Sequence, residues 1–330
     1  MKILAAIVAV LGLAAFAALG AGALGLRLVF GVIVPAIAIA VFCVGFTVKV
    51  IGWSRVPVPF RIPTTCGQQR SLAGIRRDRL GNPATPFEAA ARVLREALCF
   101  TALFGNTRSE LREGPALSQV KDRALFCLAL AFHAALFIVW LRHLRLFLEP
   151  IPAWVQALCR LDGFFEIGTP VVFITTAVLL GALACLALRR LGSARLRYLA
   201  QVNDYVPLFL LLGIGATGVW MRHFGGGDVE EVKAFALGVL SFSLPPLPAG
   251  SLFYVHLTLV SALVAGFPFG KLMHAAGLFL SPTLNLANTS RAKRHINPWN
   301  PAVELHGYAA YEDEFRDKMR GAGLPLEREP

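Results

Sequence analysis

Six long apolar stretches, separated by charged or Gly- and Pro-containing segments, dominate the chain. About 20 consecutive apolar residues suffice for a helix to cross the hydrocarbon core of a bilayer. The pattern therefore predicts an all-α, polytopic membrane helical bundle with six transmembrane helices. These helices are expected at about residues 3–24, 28–53, 124–148, 167–188, 205–220 and 251–280.

The first apolar stretch shares features with a signal peptide, because Met1 and Lys2 precede it and small residues end it. Its length of about 22 residues exceeds that of a typical signal-peptide core. We therefore expect it to be kept as a membrane helix that forms a tight hairpin with the second stretch.

Basic residues outnumber acidic ones, and the net charge is +12. The basic residues lie mainly between the apolar stretches, so they mark the ends of spans and do not indicate a nucleic-acid groove. Of the 32 Lys and Arg residues, 25 fall on one side of the predicted membrane and six on the other. The positive-inside rule then places both termini in the cytoplasm, in a bacterial or archaeal cytoplasmic membrane.

The longest polar segment between spans, residues 54–123, contains a capping box. Its sequence is Thr85-Pro86-Phe87-Glu88, with proline at the first helical position. Apolar residues follow at helical spacing, and arginines lie on the other faces. This pattern predicts an amphipathic helix that lies on the membrane surface or against a partner protein.

Four of the seven histidines lie inside predicted spans: His133 and His143 in the third, and His256 and His274 in the sixth. An ionisable side chain at membrane depth is costly unless it has a partner, so each is a candidate functional residue. A hydrogen bond to a neighbouring helix explains one such histidine as well as a metal ion does. Four histidines confined to two helices favour ligation.

The third and sixth helices are expected to run antiparallel, because an odd number of crossings separates them. This arrangement places His133 opposite His274 near the cytoplasmic side, and His143 opposite His256 near the outer side. His256 and His274 are 18 residues apart, which is five full turns, so both are expected on one helix face. His133 and His143 are only 10 residues apart, and a bend at Pro268 is expected to absorb the difference.

Two histidines fill both axial positions of a haem iron, which suits electron transfer and leaves no open site for oxygen chemistry. The pairs therefore predict two haem b groups and an electron-transfer subunit of a quinone-linked oxidoreductase. The cysteines form no CxxC or CxxCH motif, so covalent haem attachment is not supported.

Charged residues near the outer pair are candidates for a quinone site, because a quinol loses protons together with its electrons. Binding of haem propionates explains the arginines among them equally well. The candidates are Arg142, Arg145, Asp162, Glu166 and Arg222.

Two other functions are compatible with intramembrane histidines. Such histidines also serve as proton relays, so a proton-coupled membrane transporter is one alternative. The inverted repeats and broken helices that such a transporter favours are not visible in the sequence. A structural membrane anchor is the other alternative, and it would need none of the four histidines.

The chain divides into four parts on these grounds. They are an N-terminal transmembrane hairpin (1–53), a cytoplasmic or interfacial segment (54–123), a dihaem four-helix region (124–280) and a cytoplasmic tail (281–330).

The spacing His-x9-His, followed by His-x17-His on a later helix, resembles that of the cytochrome b (gamma) subunits of respiratory nitrate reductases. Further segments resemble the DsrM family, the membrane cytochrome b subunits of Dsr complexes that accompany dissimilatory sulfite reductase. These segments are residues 105–115, 132–133, 141–145, 268–274, 281–288, 294–300 and 311–316. Those in the tail are the most specific, and the likeness extends from about residue 100 to the C-terminus.

The resemblance implies that His133, His143, His256 and His274 bind two haem b groups, with menaquinone or ubiquinone as substrate. It also implies a cytoplasmic iron–sulfur partner of DsrK type, related to heterodisulfide reductase and linked to dissimilatory sulfur metabolism. Further partners would be a periplasmic multihaem cytochrome c, a periplasmic iron–sulfur protein and a second membrane protein. The resemblance leaves the direction of electron flow open.

Overall fold

The computed structural model describes residues 1–56, 74, 78–105, 107–114, 116–163, 171–225, 228–243, 246–280 and 306–327. Within these ranges, six helical segments are long and apolar enough to span a membrane, which confirms the predicted all-α membrane bundle. The segments are Lys2–Ala23, Val29–Arg55, Arg123–Leu146, Ile174–Gly192, Val202–His223 and Ser251–Phe269.

Twelve α-helices and one pair of strands are defined in the described residues. In chain order they are α1 (Lys2–Ala18), α2 (Val34–Arg55), α3 (Pro86–Cys99), β1 (Thr107–Arg112), β2 (Ala116–Lys121), α4 (Arg123–His143), α5 (Ala153–Asp162), α6 (Ile174–Gly192), α7 (Ala194–Leu199), α8 (Val202–His223), α9 (Val229–Leu240), α10 (Ser251–Gly266), α11 (His274–Leu280) and α12 (Tyr308–Gly321). Short π-helical turns extend the end of α1 (Leu19–Ala23) and precede α2 (Val29–Ile33).

The predicted hairpin between α1 and α2 depends on two glycines. Gly25 has a φ of +69°, a conformation that costs glycine little, and it turns the chain between the helices. A Cβ at Gly20 would lie 2.1 Å from the ring of Phe30, so only glycine lets the two segments approach this closely. Phe30 is buried as a result.

Particular pairs of the spanning helices pack closely against each other. α6 packs against both α4 and α8, whereas α10 packs against α1, α2 and α8. α1, α8 and α10 share a core that contains Val10, Leu210, Tyr254 and Leu259. Small buried residues such as Ala17 let these helices approach, as is typical of membrane bundles.

Polar contacts join several elements at the end of the bundle where the chain begins. Lys2 donates a hydrogen bond of 2.8 Å to the carbonyl of Ala200, just before α8. The ammonium group of Lys271 lies 2.5 Å from the carboxylate of Asp204, in the first turn of α8. We call this end of the bundle the Lys2 end, and the opposite one the Arg142 end.

A capping box begins α3, as predicted. The Thr85 side chain accepts a hydrogen bond from the Glu88 backbone, and the Glu88 carboxylate accepts one from the Ala84 backbone. Phe87, Leu94 and Leu98 share one face of the helix and are exposed. Whether this face meets lipid or a partner stays a prediction.

Several elements of the structure were not predicted. The strands β1 and β2 form an antiparallel hairpin between α3 and α4, with Thr107 opposite Lys121. The short helices α5 and α9 lie in the connections at the Arg142 end.

The predicted continuous helix over residues 251–280 is wrong. α10 ends at Gly266, two 3₁₀ turns (Phe267–Phe269 and Lys271–Met273) follow, and α11 begins at His274. Pro268 lacks the N–H that an α-helix needs, and Gly270 has an extended backbone with φ −125° and ψ −173°. The expected bend is therefore a complete break.

Candidate functional site

His133 of α4 and His274 at the start of α11 lie next to each other. Their ring centroids are 6.0 Å apart, and the ring planes make an angle of 85°. Two imidazoles bound to opposite sides of one metal ion, each nitrogen about 2 Å from the metal, have centroids roughly 6 Å apart. The separation therefore fits a pair of axial ligands.

Two phenyl rings pack on His133. The ring of Phe132 lies 4.9 Å from it, and that of Phe100 lies 5.3 Å from it. Phe100 follows α3 directly and has a φ of +50°. The interfacial helix α3 thus ends against one of the candidate ligands.

Three of the four histidines have the same hydrogen-bond pattern. In His133, His143 and His274, Nδ1 lies 2.6 Å from a backbone carbonyl, that of Ala129, Val139 and Lys271 respectively. A carbonyl oxygen can only accept, so Nδ1 must carry the proton. The lone pair is then on Nε2, which is the tautomer that binds a metal through Nε2.

His256 reaches the same tautomer through a neighbouring helix. Its Nδ1 lies 2.9 Å from the hydroxyl oxygen of Thr217 on α8. That hydroxyl donates to the carbonyl of Gly213 or Ile214, at 2.8 and 3.0 Å, so it accepts from Nδ1–H. Gly218 leaves room beside the imidazole, because a Cβ there would lie 3.4 Å from Cε1 of His256.

His143 on α4 and His256 on α10 are the other candidate pair. In the described part of the chain, α4 is not one of the helices that pack closely against α10. Directly packed helices have axes about 8–10 Å apart, and a flat cofactor between two axial histidines needs more room. Direct packing of α4 on α10 therefore does not block such a cofactor.

The break after α10 changes how the four histidines are arranged. The prediction that His256 and His274 share a face after five helical turns is wrong, since no single helix connects them. The break carries His274 on a separate segment to within contact of His133. Of these four histidines, the first two are 10 residues apart and the last two are 18 residues apart. The break, and not helix tilt alone, lets the two sets lie opposite each other despite this difference.

A buried salt bridge joins two of the predicted charged residues at the Arg142 end. Nε of Arg142 lies 2.8 Å from a carboxylate oxygen of Asp162, and the two side chains are 6% and 4% exposed. Arg142 also donates to the hydroxyls of Thr175 and Thr176, at 3.3 and 2.9 Å. Asp162 accepts from the backbone and the hydroxyl of Thr175, at 2.8 and 2.6 Å.

The remaining predicted charges are divided between described and undescribed parts of the chain. The guanidinium groups of Arg145 and Arg222 both lie near the ring of Phe173, at 5.7 and 4.4 Å from its centroid. Glu166 lies outside the described residues. Among the described residues, no three His, Cys, Asp or Glu side chains come together to hold a metal ion.

Several site residues escaped sequence reasoning. Thr217 is one hydroxyl in a long apolar span, and only the helix arrangement reveals that it contacts His256. Phe173, Thr175 and Thr176 surround Arg142 but carry no motif. The sequence contains one weak signal for them, which is the pair of adjacent threonines, Thr175 and Thr176, near the start of the fourth span.

Comparison with known proteins bears on this arrangement. Residues 115–288, which include all four histidines, match the nitrate reductase gamma subunit family. A protein of Archaeoglobus fulgidus named "Hdr-like menaquinol oxidoreductase cytochrome b-like subunit" is 40% identical over 282 residues, covering 83% of this chain and 84% of the relative. The protein of the same name from Archaeoglobus profundus is 39% identical over 280 residues, covering 82% of each.

The family match covers more than half of the chain, and both relatives align over most of their length. The predicted resemblance to nitrate reductase gamma subunits is confirmed, while the finer resemblance to the DsrM family stays a prediction. The chain belongs to the nitrate reductase gamma subunit family.

Proposed function

We propose that this chain is the membrane cytochrome b subunit of a menaquinol-linked oxidoreductase and passes electrons between the quinone pool and a cytoplasmic iron–sulfur partner. The observation that carries the proposal is the shared state of the four candidate histidines. Each uses Nδ1 as a hydrogen-bond donor, which leaves Nε2 free to bind a metal. Proton relays have no need for one uniform tautomer.

In this proposal, His133 and His274 hold one haem b and His143 and His256 hold the other. Bound there, the two haems would supply one-electron transfer across the membrane, with each held by two histidines of the chain. The carbonyls of Ala129, Val139 and Lys271 and the hydroxyl of Thr217 orient the ligands. Such outer hydrogen bonds fix the ring orientation and raise the basicity of the ligating nitrogen.

The proposed quinone and the proposed partner are supported by the names of the relatives and by the sequence resemblance. Both Archaeoglobus relatives are named as subunits of a menaquinol oxidoreductase, which favours menaquinol over ubiquinol. "Hdr-like" in the same name supports a partner related to heterodisulfide reductase, as the DsrM resemblance implies. The sulfur-linked role, the DsrK-type subunit and the other Dsr subunits belong to this proposal.

The orientation in the membrane is also part of the proposal. The excess of basic residues at the Lys2 end supports a cytoplasmic position for that end and for both termini. His133 and His274 are then the pair nearer the cytoplasmic partner, and His143 and His256 the pair nearer the outer surface. Electrons can pass from one pair to the other within a single chain.

Four histidine-to-alanine variants test the proposal. The purified wild-type chain should contain two haem b groups, measured from its dithionite-reduced spectrum. H133A and H274A should lose the same haem, and H143A and H256A the other. The double variant H133A/H274A should keep one haem, whereas H133A/H143A should keep none.

His223 provides the matched control, because it is a histidine at the end of a span that is assigned to neither pair. H223A should keep both haems. A colourless wild-type protein after growth with adequate haem would refute the proposal and favour the transporter. Reoxidation of the reduced protein by a menaquinone analogue tests the quinone step separately.

A further inference from the structure

Three guanidinium groups converge on one phenyl ring at the Arg142 end. The Cζ atoms of Arg142, Arg222 and Arg145 lie 3.8, 4.4 and 5.7 Å from the centroid of Phe173. Arg142 lies in the last turn of α4, Arg145 in the 3₁₀ turn that follows it, and Arg222 in the last turn of α8. Like charges gathered at the end of a membrane span repel each other unless anions neutralise them.

One of the three charges is neutralised within the chain. Arg142 and Asp162 form the buried salt bridge described above, with the carboxylate oxygens of Asp162 also held by Thr175. This carboxylate has no oxygen free of protein contacts. The pair is thus a structural element of the bundle, and not a receptor for a ligand.

The other two arginines are not neutralised by described residues. Arg222 donates a hydrogen bond of 3.1 Å from Nε to the carbonyl of Val171, which leaves its terminal nitrogens available. In the described part of the chain, no carboxylate lies within 4.0 Å of the guanidinium nitrogens of Arg145 or Arg222.

We infer that Arg145 and Arg222 form a binding site for a carboxylate group, which is a propionate of the haem held by His143 and His256. This inference rests on the proposed function. Arg145 lies two residues after His143, and Arg222 lies one helical turn after Gly218, the residue that borders the ring of His256. Each arginine is therefore close along its own segment to one ligand of this pair or to the residue that borders it.

The chemistry of the two side chains suits this ligand. A guanidinium group presents paired N–H donors that match the two oxygens of a carboxylate. A phosphate of an anionic lipid offers the same kind of oxygens near the end of a span, so it is the other source of such a ligand. The two sources differ in what they do to the haem, because only a propionate belongs to it.

The double variant R145Q/R222Q tests the site through the reduction potentials of the haems. A nearby positive charge stabilises the reduced, less positive haem, so its removal lowers the potential. We expect the haem that H143A abolishes to become at least tenfold harder to reduce, which is about 59 mV for one electron. The potential of the other haem should stay unchanged, as measured by redox titration of the absorption spectrum.

R160Q is the matched control. Arg160 lies on α5 at the same end of the bundle and is exposed, and its replacement removes one positive charge there. The potentials of R160Q should stay at the wild-type values, and an equal shift in this variant would overturn the inference. R145K/R222K keeps both positive charges, so its haem potentials should stay close to the wild-type values. This variant replaces R145Q/R222Q in the test if the glutamine variant does not fold.

The remaining possibilities are separated by different outcomes. Unchanged potentials in R145Q/R222Q, together with loss of co-purified phosphatidylglycerol, would assign the site to a lipid phosphate and overturn the inference. Unchanged potentials with a raised KM for a quinol analogue would assign it to the quinone. A wild-type protein without haem would refute the proposed function itself, whereas two haems with unaltered potentials in the variant would refute only this site.

Discussion

Thr217 on α8 accepts a hydrogen bond from the imidazole of His256 on α10, with 2.9 Å between the two atoms. The other three candidate ligands bond to carbonyls three or four residues earlier in their own segments. His256 is therefore the candidate ligand whose orientation depends on contact between two transmembrane helices. A change in how α8 packs on α10 would therefore alter the orientation of this imidazole.

Replacing the hydroxyl of Thr217 should weaken haem binding at the His143–His256 pair. In T217V, Nδ1–H of His256 loses the hydroxyl that accepts from it, and loss of such outer partners typically costs about 10–100-fold in affinity for the bound metal. T217S keeps the hydroxyl and should bind haem normally. Haem per chain, measured by absorption after purification under limiting haem, distinguishes the two variants.

Thr258 offers a control on the same helix as His256. It is buried, and its hydroxyl has no hydrogen-bond partner among the described residues. T258V should therefore keep both haems. Equal haem loss in T258V and T217V would show that the effect comes from packing in α10 and not from the hydrogen bond.

Removing one partner of the Arg142–Asp162 salt bridge should destabilise the bundle strongly. Both side chains are almost fully buried, and an unpaired charge left in such a place costs about 3–5 kcal/mol. R142Q and D162N should each unfold at a clearly lower temperature than wild type in detergent. The double variant R142M/D162L removes both charges and should recover much of the loss.

The exposed Arg160 is again the appropriate comparison, since it lies on the same helix as Asp162. R160Q should unfold at the wild-type temperature. If R142Q did the same, the salt bridge would contribute little to the stability of the fold, and its charges would be free for another role.

The features that the sequence predicts well are those that depend on neighbouring residues. Six spans follow from the length of apolar runs, and the start of α3 follows from Thr85 and Glu88, whose mutual contacts span only a few residues. The opposition of His133 and His274 needs only the number of crossings between them. The 6.0 Å contact of their rings agrees with that topology.

Features that depend on distant residues were missed or mistaken. The acceptor for His256 lies 39 residues away on another helix, and the partner of Arg142 lies on α5, a helix that the apolar pattern did not predict. The break after Gly266 was expected only as a bend, because a single proline often kinks a helix without ending it. Gly270, with its extended backbone, completes the interruption.

This break gives a final test, because α2 packs directly against it. A Cβ at Gly45 would lie 3.0 Å from the ring of Pro268 and 3.1 Å from that of Phe269. Valine at this position should push the 3₁₀ turn away from α2, and such overpacking costs about 1–3 kcal/mol. The displaced turn leads directly to His274, so G45V should lower haem occupancy of the His133–His274 pair and spare the other.

Gly52 is the matched control for Gly45, since it lies two turns later on nearly the same face of α2, and a Cβ there would have no neighbour within 4 Å. G52V should therefore bind two haems. The spectrum of G45V, compared with that of H274A, identifies which haem is affected. Loss of the haem that H143A abolishes would contradict the argument, because it would mean that the strain spreads along α10 and does not stop at the break.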